Sequence, residues 1–382
     1  MAKKSVRDKE RYSQTLEKSI ETILGKTLIS PKTKYYLPTR IGMLDVALSG
    51  KTDEEQKGFP GGKWIRLVGD PNTGKSLILY FAAAEIISRG GRAVFIDTEN
   101  RFNEDLACRT GYDLTQYTDQ FFLSIPSTLD EALKLVETLI DQAVLEYEKD
   151  PEQFPWLMIA IDSIATLGAK AEEEAKDSNG EVAVRPMAQA SLWAKFSRSK
   201  YTRIIANKPI WVFMSNQLRD NVDFNMHPGV VKKERKPGGR ALKYQTSIKI
   251  DTSSRKLNLS ESEKASTFGD TSEGVELCYK IDKAFGGLPG LTVRVPWFYR
   301  WGVDYARMAM DFFKQRDYQQ AYTRVGKEPP VEWTSQGRMI WDGKSQFSGA
   351  WFQFFGDNEE KLNEFISLAE REYLAYTQYA IG

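Results

Sequence analysis

Eight consecutive residues, Gly69-Asp70-Pro71-Asn72-Thr73-Gly74-Lys75-Ser76, restrict what this chain can fold into more than any other stretch. They fit G-x-x-x-x-G-K-[ST] at every fixed position, a phosphate-loop pattern that has meaning only between a strand and a helix. Both flanks are in place: Trp64 to Val68 reads as a buried strand, and Leu77 to Ile87 as an apolar helix. In that setting the glycines let backbone N–H groups close on a phosphate chain, and the new helix points its positive end at the same spot. Lys75 is then positioned to neutralise the β- and γ-phosphates of ATP, and the Ser76 hydroxyl to ligate Mg²⁺. A glycine-rich surface turn is the alternative, and the flanking strand and helix argue against it.

A chain of 382 residues can bury a large core, and its length predicts one large domain with smaller appendages. The 53 basic and 52 acidic side chains nearly cancel, so any polyanion must be met by a local patch. Two cysteines, Cys108 and Cys278, argue for no disulfide framework and for a reducing, cytoplasmic setting. The most apolar run, Trp156 to Ala165, is short and broken by Asp162, so no membrane segment is expected.

Tyr12, Leu16, Ile20, Ile23 and Leu24 fall at helical spacing and predict an N-terminal helical arm over residues 1–36 that covers its own core or a neighbouring subunit. Thr39 to Leu48 reads as an amphipathic helix. Further strands are expected at Ala93 to Asp97, Trp156 to Ile161 and Ile210 to Met214, with helices at Leu129 to Tyr147 and near Met187 to Ile205. Strands alternating with helices predict an α/β core over residues 37–303, built on a mostly parallel sheet covered by helices. In such sheets the ligand lies beyond the carboxyl ends of the strands. Period-2 patterns from Ser247, Glu276 and Leu291 add strands, some antiparallel. Residues 304–382 are expected to form a small α+β lobe with a terminal helix from Asn358 to Tyr376. Its aromatic cluster (Trp341, Trp351, Phe352, Phe354, Phe355) reads as core more readily than as a base-stacking platform.

Hydrolysis of ATP needs a metal, a positioned water and stabilisation of charge on the leaving phosphate. Asp162, at the tip of an apolar strand, is the natural partner of the Mg²⁺ shell, although a turn-capping aspartate is the plain alternative. Glu99 can take a proton from the attacking water, and Asp97 competes for that role. Gln217, a neutral amide at a strand tip, can sense a γ-phosphate by hydrogen bonding or simply lead a loop. Two polar stretches follow the third and fourth strands. The first, Gly168 to Arg185, is mixed in charge. The second, Leu218 to Gly239, ends in a Lys/Arg-rich run from Lys232 to Lys236, as contact with a phosphate backbone requires. His227 stands without a second His or Cys nearby, so a metal role for it is not expected.

The order of blocks TRIGMLDVALSG, GDPNTGKS, AVFIDTENRF, AIDSIATLGAKAE, MSNQLR and PGGRALKYQTS resembles the RecA-type DNA recombinases, including their phage UvsX-like members, over roughly Pro38 to Val303. The resemblance implies a DNA-dependent ATPase that polymerises on single-stranded DNA, pairs it with homologous duplex and exchanges strands. It implies a nucleotide site of Gly69 to Ser76 with Asp162 linked to the metal, and Glu99 as the carboxylate that activates water. It makes Gln217 the switch from γ-phosphate to the second DNA loop, and Lys283, beside Lys280, the lysine that reaches a neighbour's γ-phosphate. DNA contacts fall on Arg185, Arg219, Val222, Gly238 and Gly239, with Lys232, Lys233, Arg235 and Lys236 adding local charge. Leu106 stands where bacterial members place an aromatic over the adenine. Implied partners are DNA, further copies in a helical homo-oligomer, a single-strand-binding protein and a loader. A ring helicase on the same fold, or a mediator that binds DNA without hydrolysis, are the alternatives.

Overall fold

The computed structural model describes residues 33–164, 188–197, 200–217, 242, 245–257, 274–300 and 302–381. The expected N-terminal helix and both polar stretches after the third and fourth strands lie outside the described residues, apart from Thr33 to Tyr36 of the arm.

In chain order the elements are β1 (Tyr36–Leu37), α1 (Gly42–Ser49), β2 (Phe59–Pro60), β3 (Lys63–Gly69), α2 (Lys75–Ser88), β4 (Arg92–Asp97), α3 (Glu104–Cys108), β5 (Phe121–Ser124), α4 (Leu129–Lys149) and β6 (Leu157–Asp162). There follow α5 (Ala188–Ser197), α6 (Tyr201–Ile204), β7 (Ile210–Gln217), β8 (Ile248–Lys256), β9 (Gly274–Lys283), β10 (Thr292–Phe298) and β11 (Gly302–Val303). The last part holds α7 (Tyr305–Phe313), α8 (Arg316–Arg324), β12 (Glu332–Trp333), β13 (Arg338–Trp341), β14 (Lys344–Phe347), α9 (Ser348–Gly356) and α10 (Glu359–Ile381).

Nine strands form one sheet in the order β11-β10-β9-β8-β3-β7-β6-β4-β5. From β8 to β5 every pairing is parallel; from β8 outward through β9, β10 and β11 every pairing is antiparallel. The parallel half is apolar on both faces because helices cover both. Side chains alternate across β3, so Ile65 and Leu67 join one hydrophobic cluster while Trp64 joins the other. The first cluster holds α2, whose run LILYFAAA is buried all along. The second holds α4, which starts at a Thr128 cap and buries one stripe, Leu133, Val136, Ile140 and Val144.

Two features differ from the sequence expectation. The strand β5 (FFLS) is an edge strand of four half-exposed residues, too short to carry a period. The expected helix near Met187 to Ile205 is two described helices, α5 and α6. In the C-terminal part, Trp341, Trp351 and Phe355 are buried in the same cluster as Phe81 and Trp297, so these rings are core. The helix α10 packs on α1 and reaches the loop after it, where Lys57 Nζ binds Glu370 at 2.8 Å. Among the described residues no helix is long and apolar enough to cross a membrane.

Candidate active site

Chain geometry at the two ends of the loop after β3 leaves no room for a side chain. At Gly69 an added Cβ would collide with the Thr252 carbonyl on neighbouring β8, and at Gly74, with φ +83°, it would collide with the Tyr279 hydroxyl. The loop is braced by hydroxyls: Thr73 Oγ1 donates to the Asp70 carbonyl at 2.7 Å and lies 2.7 Å from Thr252 Oγ1. From below, Tyr279 OH donates to the Gly74 carbonyl at 3.2 Å. The helix α2 begins at Lys75, so its free N–H groups face the loop. Lys75 is buried, with Nζ donating to the carbonyls of Gly69 (2.9 Å) and Asp70. Burial pulls its pKa down, opposed by the carboxylates of Asp162, Asp70 and Glu99.

Adjacent parallel strands deliver the acids. Asp97 ends β4 and Asp162 ends β6, paired in register. The two carboxylates have different tasks. Asp97 accepts from the backbone N–H groups of Glu99 (3.1 Å), Arg101 (2.7 Å) and Phe102 (2.8 Å), and so shapes the turn that presents Glu99. Asp162 accepts from Ser76 Oγ at 2.6 Å on one oxygen and from Ser215 Oγ on the other. Burial raises the pKa of Asp162, while the Ser215 and Ser76 hydroxyls and the Lys75 charge oppose the rise. Glu99 Oε1 accepts from Ser163 Oγ and from Gln217 Nε2, both at 2.6 Å, and Arg101 sits 3.2 Å from Oε2. Thr98 ties the two strand tips: Oγ1 donates to the Ser163 carbonyl at 2.6 Å and accepts from Ser163 N at 2.9 Å.

A cavity of about 530 Å³ collects Lys75, Ser76, Glu99, Asp162 and Gln217 on its walls, with Pro71, Asn72 and Gly74 at the loop. Phe102, Leu106 and Tyr299 line the same cavity with Arg109, and so offer a planar apolar group a surface to lie on. Lys283 is not among the lining residues; its Nζ donates to the Thr246 carbonyl instead. Arg185, Arg219, Val222, Lys232, Lys233, Arg235, Lys236, Gly238 and Gly239 lie outside the described residues, as does His227. Sequence reasoning passed over Ser215, Thr98, Thr252 and Tyr279. Ser215 was within reach, being two residues before Gln217 on the same strand tip. Thr252 and Tyr279 carry no such signal, because only the sheet order brings β8 and β9 beneath the loop.

The donor set can hold a hydrated hard cation. Ser76 and Asp162 offer oxygens 2.6 Å apart, and a cation that keeps waters and phosphate oxygens needs little more from the protein. Among the described residues no group of three or more His, Cys, Asp or Glu forms a metal cluster.

A braced glycine loop, a lysine at the helix start and two strand-tip acids on a mostly parallel sheet define a P-loop nucleotide-binding protein of the α/β class. Residues 37–274 match the RecA N-terminal domain family, more than half the chain, and the chain belongs to that family. It is similar to Protein RecA of Brevibacillus brevis, 28% identical over 325 residues, covering 83% of this chain and 74% of that protein. Protein RecA of Rhodopirellula baltica is 32% identical over 256 residues, 65% of this chain and 60% of that one. With Protein RecA of Lactobacillus delbrueckii subsp. bulgaricus the identity is 32% over 196 residues, so the match spans about half the length of each, 51% and 51%.

Proposed function

We propose that this chain is an ATP-dependent strand-exchange protein of homologous recombination, which assembles as a filament on single-stranded DNA and pairs it with homologous duplex. The observation that carries the reading is the contact of Gln217 Nε2 with Glu99 Oε1 at 2.6 Å, on the wall of the phosphate-loop cavity. Gln217 is the last residue of β7, and the segment that ends in the Lys/Arg-rich run begins at the next residue. A group that meets both the hydrolytic carboxylate and the first residue of a basic segment links nucleotide chemistry to DNA contact.

In this reading ATP is the substrate. Backbone N–H groups of Asn72 to Ser76 and the Lys75 ammonium hold its phosphates. Ser76 and Asp162 would hold Mg²⁺, which would supply positive charge against that of the phosphates. Glu99 accepts a proton from water as that water attacks the γ-phosphorus and the bond to the ADP oxygen breaks. Ser163 and Gln217 orient the Glu99 carboxylate. Lys283 serves the nucleotide of a neighbouring subunit. Arg185, Arg219, Val222, Gly238 and Gly239, with Lys232, Lys233, Arg235 and Lys236, contact DNA.

Residues 1–36 form the arm that joins subunits, residues 37–303 the ATPase core and residues 304–382 a C-terminal lobe. The basic run of the second loop favours the phage UvsX-like branch of the family. A single-strand-binding protein and a loader complete the set of partners, in a reducing, cytoplasmic compartment. The γ-phosphate favours one assembly state by binding it more tightly, and that differential affinity is the whole of the coupling.

The test mixes the protein with single-stranded DNA and a non-hydrolysable ATP analogue. Helical filaments in micrographs, together with joint molecules from homologous duplex, are the expected result. Closed rings that unwind a forked duplex would replace this reading with a ring helicase.

A further inference from the structure

The turn that leaves β4 places two opposite charges side by side, Glu99 and Arg101. Glu99 Oε1 is taken by Ser163 Oγ and Gln217 Nε2, both at 2.6 Å. Its other oxygen, Oε2, faces Arg101, whose Nη1 lies 3.2 Å away. A carboxylate that takes a proton from water must offer an oxygen to that water. Oε2 is the oxygen left for the task, and a guanidinium stands over it.

Arg101 is anchored by its backbone and loose in its side chain. Its N–H donates to Asp97 Oδ2 at 2.7 Å, and the N–H of Phe102 donates to the same oxygen at 2.8 Å, so the turn is fixed. The side chain is 72% exposed, against 12% for Glu99, and Glu99 is the one partner that the described residues give its guanidinium. An ion pair so open to water is weak and cheaply exchanged. The same arginine lines the cavity that also collects Lys75, Ser76, Glu99 and Asp162. Lys75 enters that cavity from the phosphate loop, with Nζ on the Gly69 and Asp70 carbonyls, whereas Arg101 enters it beside Glu99. A terminal phosphate carries more negative charge than a carboxylate, and the planar guanidinium can meet two of its oxygens at once.

We propose that Arg101 is a catalytic residue acting on the nucleotide of its own subunit: it covers Glu99 Oε2 when the site is empty, and it turns to the γ-phosphate when ATP binds. The turn uncovers Oε2 for the attacking water and sets a cation against the charge that develops on the transferred phosphoryl group. The water oxygen then bonds to the γ-phosphorus, its proton passes to Glu99 Oε2, and the electron pair of the broken P–O bond stays on ADP. The substrate thus uncovers its own base. This inference rests on the proposed hydrolysis of ATP with Glu99 as the base.

The experiment measures affinity for ADP and for adenylyl imidodiphosphate by calorimetry, and ATP turnover with single-stranded DNA, for the full chain and for Arg101→Met and Arg101→Lys. Methionine keeps an unbranched stem without the charge; lysine keeps the charge without the planar fork. Arg101→Met is expected to bind ADP as the unaltered protein does, to bind the analogue about tenfold more weakly and to turn over ATP about a hundredfold more slowly. Arg101→Lys should recover part of both losses. A residue that only shapes the turn would move both affinities together, so an equal loss for ADP and the analogue refutes the contact with the γ-phosphate. Slower turnover with the analogue's affinity unchanged makes Arg101 a holder of Glu99 and refutes the exchange. If Arg101→Met matches an unaltered protein that hydrolyses ATP, the ion pair is a solvated surface pair: this inference fails and the proposed function stands. An unaltered protein that binds neither nucleotide overturns the ATP reading and this inference together.

Discussion

Gln217 Nε2 lies 2.6 Å from Glu99 Oε1, although 118 residues separate them in sequence. The two meet because β6 lies between β4 and β7, so the loops that leave β4 and β7 converge over its tip. The amide is thus a direct orienting partner of the carboxylate proposed to activate water. Gln217→Ala should leave ATP affinity within about threefold, because the phosphate loop is intact, and lower DNA-stimulated turnover about tenfold or more. Single-stranded DNA affinity should also cease to respond to nucleotide. Steady-state ATPase assays with and without oligonucleotide read both effects, and a variant still stimulated by DNA would contradict the assignment.

Glu99 and Asp97 separate by experiment as they separate by contacts. Glu99→Gln keeps the shape and the Ser163 contact but cannot take a proton, so turnover should fall at least a hundredfold with nucleotide binding retained. Asp97→Asn replaces an acceptor of three backbone N–H bonds with a group that accepts on one side only. Its main effect should be a loss of stability of about 1–3 kcal/mol, with activity lost through misplacement of Glu99. Thermal melts run beside single-turnover hydrolysis distinguish the two patterns.

Much of this site was legible in the sequence because its parts are local. The phosphate loop, its strand and its helix are contiguous, and a strand-tip acid such as Asp162 is flagged by the apolar run before it. Composition alone left Glu99 and Asp97 undecided, since both are carboxylates two residues apart. The contacts that tell the two apart come from Ser163, one residue past a different strand, and from the backbone N–H groups of a turn. Thr252 and Tyr279 were illegible for a related reason: β8 and β9 reach the loop only through sheet order, which no local period encodes. The edge strand β5 was missed because four half-exposed residues cannot display alternation. Trp341, Trp351 and Phe355 were readable as core, since the run from Trp351 to Phe355 is interrupted by no polar residue but Gln353.

Tyr279 and Gly74 make a testable pair. An added methyl at Gly74 meets the Tyr279 hydroxyl, and the residue also holds φ +83°, where an L side chain is strained by about 1–2 kcal/mol. Gly74→Ala should abolish nucleotide-induced thermal stabilisation and lower the melting temperature. Adding Tyr279→Phe removes the hydroxyl and its bond to the Gly74 carbonyl, so it should recover part of the lost stability and leave the φ cost and the close contact with Leu277 Cδ1 at 2.9 Å. Melting with and without an ATP analogue reads both steps. If the double variant were no better than the single one, the collision would not be the cause.

Asp45 gives the fold a pH dependence that can be isolated. It is enclosed in α1, and burial pushes its pKa up to about 8, against the N–H of Thr39, which donates to Oδ1 at 2.6 Å, and the charge of Lys57. Glu370 pushes it further up, and the Lys57 ammonium is shared with the Glu370 and Glu54 carboxylates. A carboxyl whose folded pKa lies above its unfolded value of 3.8 is taken up by the fold as the neutral acid. Ionisation therefore costs stability progressively as pH rises from about 4 to about 8, and the cost is constant above that. Its ceiling is on the order of 5 kcal/mol. Asp45→Asn keeps an oxygen to accept from Thr39 and cannot ionise. The variant should match the unaltered protein near pH 4 and grow more stable than it up to about pH 8, after which the gap holds steady. Urea unfolding across that range, taken as the difference between the two proteins, cancels every other titrating group. A difference that stays flat with pH would show that Asp45 is ionised at neutral pH, held by the Lys57 charge.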